Sequence, residues 1–236
     1  MISTLVARDW AEIQERMLVP LYEAVYDRLG VGPGTRLLGL DCGAGLALLL
    51  GAARGARVTG AERDPDRLAL ARERGLEVAA GLPEGTRAGD GYDMLTALCP
   101  GLPDGPPGDP GAAALAAAVP LVRRGGAVVL AGWGPADRCA VADLLGGERR
   151  SVPGPGLEGA AVAAGLRPEG SWRVFCPFGY ADMDSAVRGL LSSGLYRPSD
   201  PAQAEKELTE SLHPYAREDG SVWLPNVFRY VLARVP

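Results

Sequence analysis

Apolar residues recur every third or fourth position near the amino terminus. Trp10, Ile13, Met17, Leu21, Val25 and Leu29 fall on one face of a helical region over residues 8–29. Pro20 interrupts that region, because its ring removes a backbone donor and crowds the preceding turn, so the pattern predicts a kink or two helices. Gly30-Val31-Gly32-Pro33-Gly34 turns the chain. Arg36–Leu40 is a short apolar run that reads as a buried strand ending at Asp41, and Leu46–Arg54 reads as a helix that Gly55 stops.

The alternation repeats. Arg57–Ala61 is a second strand, and Asp64-Pro65 caps a helix that runs through Arg74 and closes at Gly75. Glu77–Ala79 and Tyr92–Leu98 are the third and fourth strands. A Pro- and Gly-dense loop over Gly101–Gly111 precedes an Ala-rich helix to Leu121, a turn at Gly125-Gly126 and a fifth strand at Ala127–Ala131. Such alternation implies a parallel sheet covered on both faces. The last third predicts short helices over 136–145, 157–164, 181–193 and 200–212, a strand near Trp172–Phe175, and a final strand over Asn226–Val235. No internal repeat interrupts this order. The expected organisation is one α/β domain over 1–236, with a helical lid in 1–30, a core in 35–135 and a substrate and lid part in 136–236.

Composition narrows the chemistry. The chain has 236 residues, 47% of them hydrophobic, which is enough for a sizeable core. Net charge is −5, so a nucleic-acid partner, which needs a basic face, is not expected. Lys206 is the single lysine and His213 the single histidine, and Cys42, Cys99, Cys139 and Cys176 are widely scattered. No metal-ligand or redox spacing and no G-x-S-x-G elbow is present, so no metal is expected. The first residues lack a basic leader followed by an apolar stretch, and the longest apolar runs are too short to span a bilayer. The expectation is a cytoplasmic protein with no membrane partner.

The candidate chemistry lies in LLGLDCGAGLA, residues 37–47. In an open parallel sheet, ligands bind beyond the carboxyl ends of the strands where the strand order reverses, and glycines there let the backbone approach a ligand closely. The dinucleotide fingerprint G-x-G-x-x-G needs glycine at position 48, where this chain has Leu48. Asp41 would also face a pyrophosphate badly. A carboxylate in that place suits a cationic ligand such as S-adenosylmethionine (SAM). Glu62, at the end of the second strand, can accept both hydrogen bonds of a ribose diol.

LLGLDCGAGLA followed by RVTGAERDPDRLALARERG resembles the first two motifs of class I SAM-dependent methyltransferases. GYDMLTAL, with Asp93 leading it, resembles the family's fourth strand, and VPLVRRGGAVVLAGWG the segment leading into strand five. The amino-terminal helix with Trp10 and the ending DGSVWLPNVFRYVLAR resemble actinomycete small-molecule, natural-product methyltransferases. The resemblance covers essentially the whole chain. It implies a Rossmann-like fold: a seven-stranded, mostly parallel sheet with the last strand antiparallel, helices on both faces and an N-terminal helical lid.

Carried over by position, the resemblance implies that Asp41, Gly43 and Gly45 line the methionine end of SAM, with Cys42 and Ala44 between them as further cofactor-site residues. Glu62 would hold the ribose, Arg63 would flank the adenine, Leu82 would join the cofactor site, and Ala97, Leu98 and Cys99 would border the sulfonium. The chain departs from the family in three places. Ala47 replaces a glycine, no acid follows strand three in Val78-Ala79-Ala80-Gly81-Leu82-Pro83, and the segment between Gly146 and Gly165 is compressed.

His213 is a candidate general base, as the only side chain with an ordinarily near-neutral pKa, although it sits where a helix meets a proline and reads equally as a surface residue. Trp10, Tyr22 and Tyr26 are candidate aromatic contacts to substrate or sulfonium, at a spacing that core packing also demands. Trp133 and Phe178 are further substrate candidates. The implied activity is methyl transfer from SAM to a small-molecule acceptor, yielding S-adenosylhomocysteine (SAH). The alternatives are a methyltransferase-like cyclase or rearrangement catalyst that binds SAM without consuming it, and a non-catalytic partner protein.

Overall fold

The computed structural model describes residues 2–83, 91–98, 110–144, 156–194 and 201–236. Seven strands form one sheet in the order β3-β2-β1-β4-β5-β9-β6, where β1 is Arg36–Leu40, β2 Arg57–Ala61, β3 Val78–Ala79, β4 Tyr92–Ala97, β5 Val122–Trp133, β6 Arg167–Phe175 and β9 Val227–Arg234. The first five are mutually parallel, and β9 runs antiparallel between β5 and β6. The expected seven-stranded sheet with an antiparallel last strand is therefore present. Separate from it, β7 (Phe178–Tyr180) and β8 (Val222–Leu224) pair antiparallel, a hairpin-like ribbon too short for the sequence pattern to reveal.

Alternation along each strand sends side chains to two cores. Leu37, Met94, Val129, Phe228 and Tyr230 face one, with α2 (Val19–Leu29), α3 (Leu46–Ala53) and α4 (Pro65–Glu73). Leu38, Leu95, Val128, Leu130 and Val231 face the other, with α5 (Pro110–Ala118) and α7 (Gly156–Ala163). Between these last two in sequence lies the short α6 (Ala140–Leu144). The carboxyl-terminal helices α8 (Met183–Ser192) and α9 (Pro201–Leu212) add Val187, Leu190, Leu208 and Leu212 to the first core.

Two stretches differ from expectation. The turn at Gly125-Gly126 lies within β5, which runs continuously from Val122; its register against β4 jumps from Tyr92↔Val122 to Met94↔Ala127. Gly125 at φ 72° absorbs that jump. The expected amino-terminal helix is four elements: α1 (Ile2–Asp9), a π turn over Trp10–Gln14, a 3-10 turn over Glu15–Leu18, and α2. Pro20 does divide the region, and it lies in the first turn of α2, where its missing N–H costs nothing.

Among the described residues, no helix is long and apolar enough to cross a membrane.

Candidate functional site

The strand order reverses at β1, which has β2 on one side and β4 on the other. The turn after β1 therefore opens at the switch point where open α/β sheets take ligands. It contains three departures from ordinary backbone at alternate positions: Asp41 at φ 44°, Gly43 at 63° and Gly45 at 88°. Asp41 is the one non-glycine residue of positive φ among the described residues, and strain of this kind clusters where function requires a geometry. Gly45 stands at the N-cap of α3, and a Cβ there would collide with the Leu76 side chain.

Leu48 fills the place where a dinucleotide fingerprint would have its third glycine. The strands make room for it: a Cβ on Gly39 would meet Leu48 Cδ2 at 2.9 Å, and one on Gly60 would meet Leu48 Cδ1 at 2.7 Å. The close approach of helix to sheet is thus provided by glycines on the strands.

Glu62 follows β2 and is almost fully buried. Its Oε2 accepts the Gly43 N–H at 2.7 Å and its Oε1 accepts the Asp64 N–H at 2.8 Å. Burial pushes its carboxyl above the usual carboxylate range, against the pull of those N–H groups, and Asp41 pushes it the same way. Asp41 is held by Arg63, whose Nε and Nη2 reach Oδ1 and Oδ2 at 2.9 and 2.7 Å. That two-pronged pair turns Arg63 toward the glycine turn. Asp64 caps α4, accepting from the N–H groups of Asp66 and Arg67, as its sequence position predicts.

Beneath the turn lies a cavity of about 10 Å³, bordered by Asp41, Cys42, Tyr22, Thr96, Leu98 and Glu15, among others. Such a space holds one water molecule. The amino-terminal segment contributes Glu15 and Tyr22 to its border. Glu15, 1% exposed, accepts the Leu46 N–H at 3.2 Å at the start of α3 and pairs with Arg74 at 3.1 Å. Arg74 also donates to the Ala44 and Ala11 carbonyls. Trp10 lies over Gly43, with Arg67 4.2 Å from its ring centre.

The other sequence candidates are distributed more widely. Leu98 borders the cavity, whereas Ala97, one residue earlier, turns into the second core. Leu82 also packs against that second core, and Cys99 lies outside the described residues. Tyr26 is sealed in the first core, its hydroxyl donating to the Ala47 carbonyl at 2.8 Å; it braces α3 from behind. Phe178 is likewise sealed, packed edge-on against Trp133, which also leans on Phe228. His213 stands exposed in the 3-10 turn after α9 and is not among the residues around the cavity. Asp93, at the opposite end of β4 from the cavity, accepts the Arg36 N–H and pairs with Arg123.

Three contributors escaped the sequence pattern. Thr96 borders the cavity from inside β4, where a lone threonine in an apolar run carries no marker. Glu15 falls off the apolar helical stripe, and in a regular helix such a position faces solvent; Gln14, four residues after Trp10, lies on the stripe, where a lone polar side chain carries no marker. The π turn changes that bookkeeping, because Glu15 N–H bonds back to the Trp10 carbonyl, five residues earlier.

The strand order, the antiparallel last strand β9 between β5 and β6, and helices on both faces define the Rossmann-like class I methyltransferase fold. Solved structures agree at low identity. The [4+2]-cyclase SpnF is 18% identical over 92% of this chain and 80% of its own, with a TM-score of 0.54. Geranyl diphosphate C-methyltransferase from Streptomyces coelicolor A3(2), solved with Mg2+, geranyl diphosphate and SAH, is 14% identical over 94% and 82%, with a TM-score of 0.52. YjhP of E. coli is 18% identical over 98% and 99%, with a TM-score of 0.53. No family model matches the chain, and no curated protein is similar to it in sequence.

Proposed function

We propose that the glycine turn after β1 binds SAM and that the chain transfers the methyl group to a small-molecule acceptor. The observation that carries this reading is Glu62: a buried carboxylate at the tip of β2, joined to the glycine turn through the Gly43 N–H. A carboxylate has about four lone-pair positions, and each Glu62 oxygen is described with one backbone donor. Capacity therefore remains for the two hydroxyls of a ribose. Asp41 has the charge to meet the ligand's ammonium, and Gly43 with Gly45 lets the backbone lie against the methionine part.

The donor and acceptor set fits SAM; the space does so only once Trp10 and Glu15 move. Bound SAM would supply an already activated, electrophilic methyl group. The chain's own contribution is positional: Glu62 and the glycine turn would fix the cofactor, and Tyr22, Thr96 and Leu98, which border the cavity beside Asp41, would lie near its reacting end. His213 is exposed and does not border the cavity, so the reading does not rest on it as a base; an acceptor whose nucleophile needs little activation suits this site. The resemblance to natural-product enzymes and the net charge of −5 favour an apolar small molecule in the cytoplasm.

A second reading keeps SAM bound and unreacted, as scaffold for a cyclisation. It is favoured by the cyclase SpnF having the same fold at a TM-score of 0.54. Calorimetric titration of the purified protein with SAM and SAH tests both readings at once. Micromolar binding of each supports the cofactor assignment, and no binding of either defeats it. SAH release during turnover of an acceptor then separates transfer from cyclisation.

A further inference from the structure

The amino-terminal segment does more than cover the site. In a regular helix, residues five apart point about 140° away from one another at roughly 100° per residue. Trp10 and Glu15 are five apart, yet a Cβ placed on Gly43 would meet Trp10 Nε1 at 2.9 Å and Glu15 Oε1 at 2.9 Å. The π turn between them makes this convergence possible. Both side chains are buried, and Trp10 Nε1 is a buried donor with no hydrogen-bond acceptor.

The Glu15 carboxylate meanwhile sits where an anionic ligand group belongs. It takes the free N–H of Leu46 at the amino-terminal end of α3 and the guanidinium of Arg74. The chain has thus placed its own carboxylate and indole against the face of the glycine turn that the cofactor reading needs. The cavity bordered by Glu15, Tyr22 and Asp41 holds about 10 Å³, where a ligand of SAM size needs roughly 300 Å³ or more.

We propose that residues 10–18 are a displaceable gate, latched by Glu15 on Leu46 N–H and Arg74, which must swing off the glycine turn before a ligand's carboxylate and backbone-facing atoms can take that place. The ligand class is an amino-acid-bearing nucleoside, so the identity of the ligand, but not the existence of the gate, rests on the SAM reading above. Opening breaks the two Glu15 bonds, the Arg74 bond to the Ala11 carbonyl and the 2.8 Å bond from the Tyr180 hydroxyl to Gln14 Oε1. It also takes Arg67 off the Trp10 ring and withdraws Trp10, Ala11 and Leu18 from the first core, which is the main cost of the movement. It also exposes the stranded Trp10 N–H to an acceptor. The segment is built for such a change: π and 3-10 turns replace α-helix there, and neither has a side-chain cap.

The test combines hydrogen exchange with SAH titration on the full chain, using Glu15→Ala, Arg74→Gln and Glu15→Gln. Glu15→Ala leaves Leu46 N–H and Arg74 without the carboxylate and favours the open arrangement. We expect the amides of residues 10–18 to exchange faster while those of β1 and β4 keep their protection, and the SAH dissociation constant to fall by about threefold to tenfold, since the open fraction rises. Arg74→Gln should act in the same direction with less disturbance of the core. Glu15→Gln retains shape and an acceptor and should stay closed.

Unchanged exchange over residues 10–18 in both Glu15→Ala and Arg74→Gln would overturn the gate whatever SAH does. Faster exchange with weaker SAH binding would also overturn it, making Glu15 part of the ligand's own site. Faster exchange with no SAH binding by any form would support the gate and remove the SAM reading.

Discussion

The Glu62 carboxylate and the Gly43 N–H meet at 2.7 Å, tying the tip of β2 to the glycine turn after β1. The same residue reaches the Asp64 N–H, so one buried acid orders both the turn and the start of α4. If it also holds a ribose, Glu62→Ala should weaken SAH binding at least tenfold, about 1.4 kcal/mol or more, by calorimetry. Glu62→Gln keeps one acceptor oxygen and should fall between. Wild-type affinity in Glu62→Ala would remove the ribose assignment.

Asp41 combines a left-handed backbone with a side chain clamped by Arg63. Asparagine tolerates that backbone better than alanine, which pays about 1–2 kcal/mol for it. In urea unfolding, Asp41→Asn should therefore be less destabilising than Asp41→Ala, although both lose the charge. Equal losses would mean that the Arg63 pair, not the backbone, dominates.

Tyr26 reads in sequence as a possible contact to substrate, and in the fold it is a brace. Tyr26→Phe removes the buried hydroxyl from the Ala47 carbonyl and should cost about 1–2 kcal/mol of stability. SAH affinity should stay within a factor of two or so, well under the tenfold step of about 1.4 kcal/mol. A large affinity change with unchanged stability would return Tyr26 to the site.

Burial raises the Glu15 carboxyl above its ordinary value of 4.5, outweighing the pull of Arg74, the Leu46 N–H and Arg67. The folded state therefore holds this proton more tightly than the unfolded chain. That contribution to stability is complete below the ordinary value and is lost as pH rises through the raised one. Glu15→Gln cannot ionise and escapes the loss. Stability of the wild type relative to Glu15→Gln should thus decline as pH rises from 4.5 toward neutrality, measured by urea unfolding at several pH values. A flat or rising difference would contradict the raised value.

Much of this protein is determined by short-range pattern. β1 and β2 begin and end where the apolar runs of Arg36–Leu40 and Arg57–Ala61 do, and the glycine turn, its acid and Asp64 as a cap are visible in the sequence. These features follow from local rules: strand burial, positive φ at glycine, and side-chain capping. The parallel order of the strands and the switch point at β1 also follow from their alternation with helices, through the fold the motifs resemble.

What only the tertiary structure decided is which side chains share a space. Periodicity counts residues as though every turn were α-helical, so it could not foresee a π turn that aims both Trp10 and Glu15 at Gly43. Nor could it say that Tyr26 and Phe178 would be buried as braces while Tyr22 and Thr96 border the cavity, because aromatic and apolar residues obey the same spacing in either role. Arg63 turning to Asp41, and Glu15 occupying the end of α3, depend on segments far apart in the chain meeting in one place. Local sequence encodes the backbone's preferences; which charges end up buried together is decided only when distant elements pack.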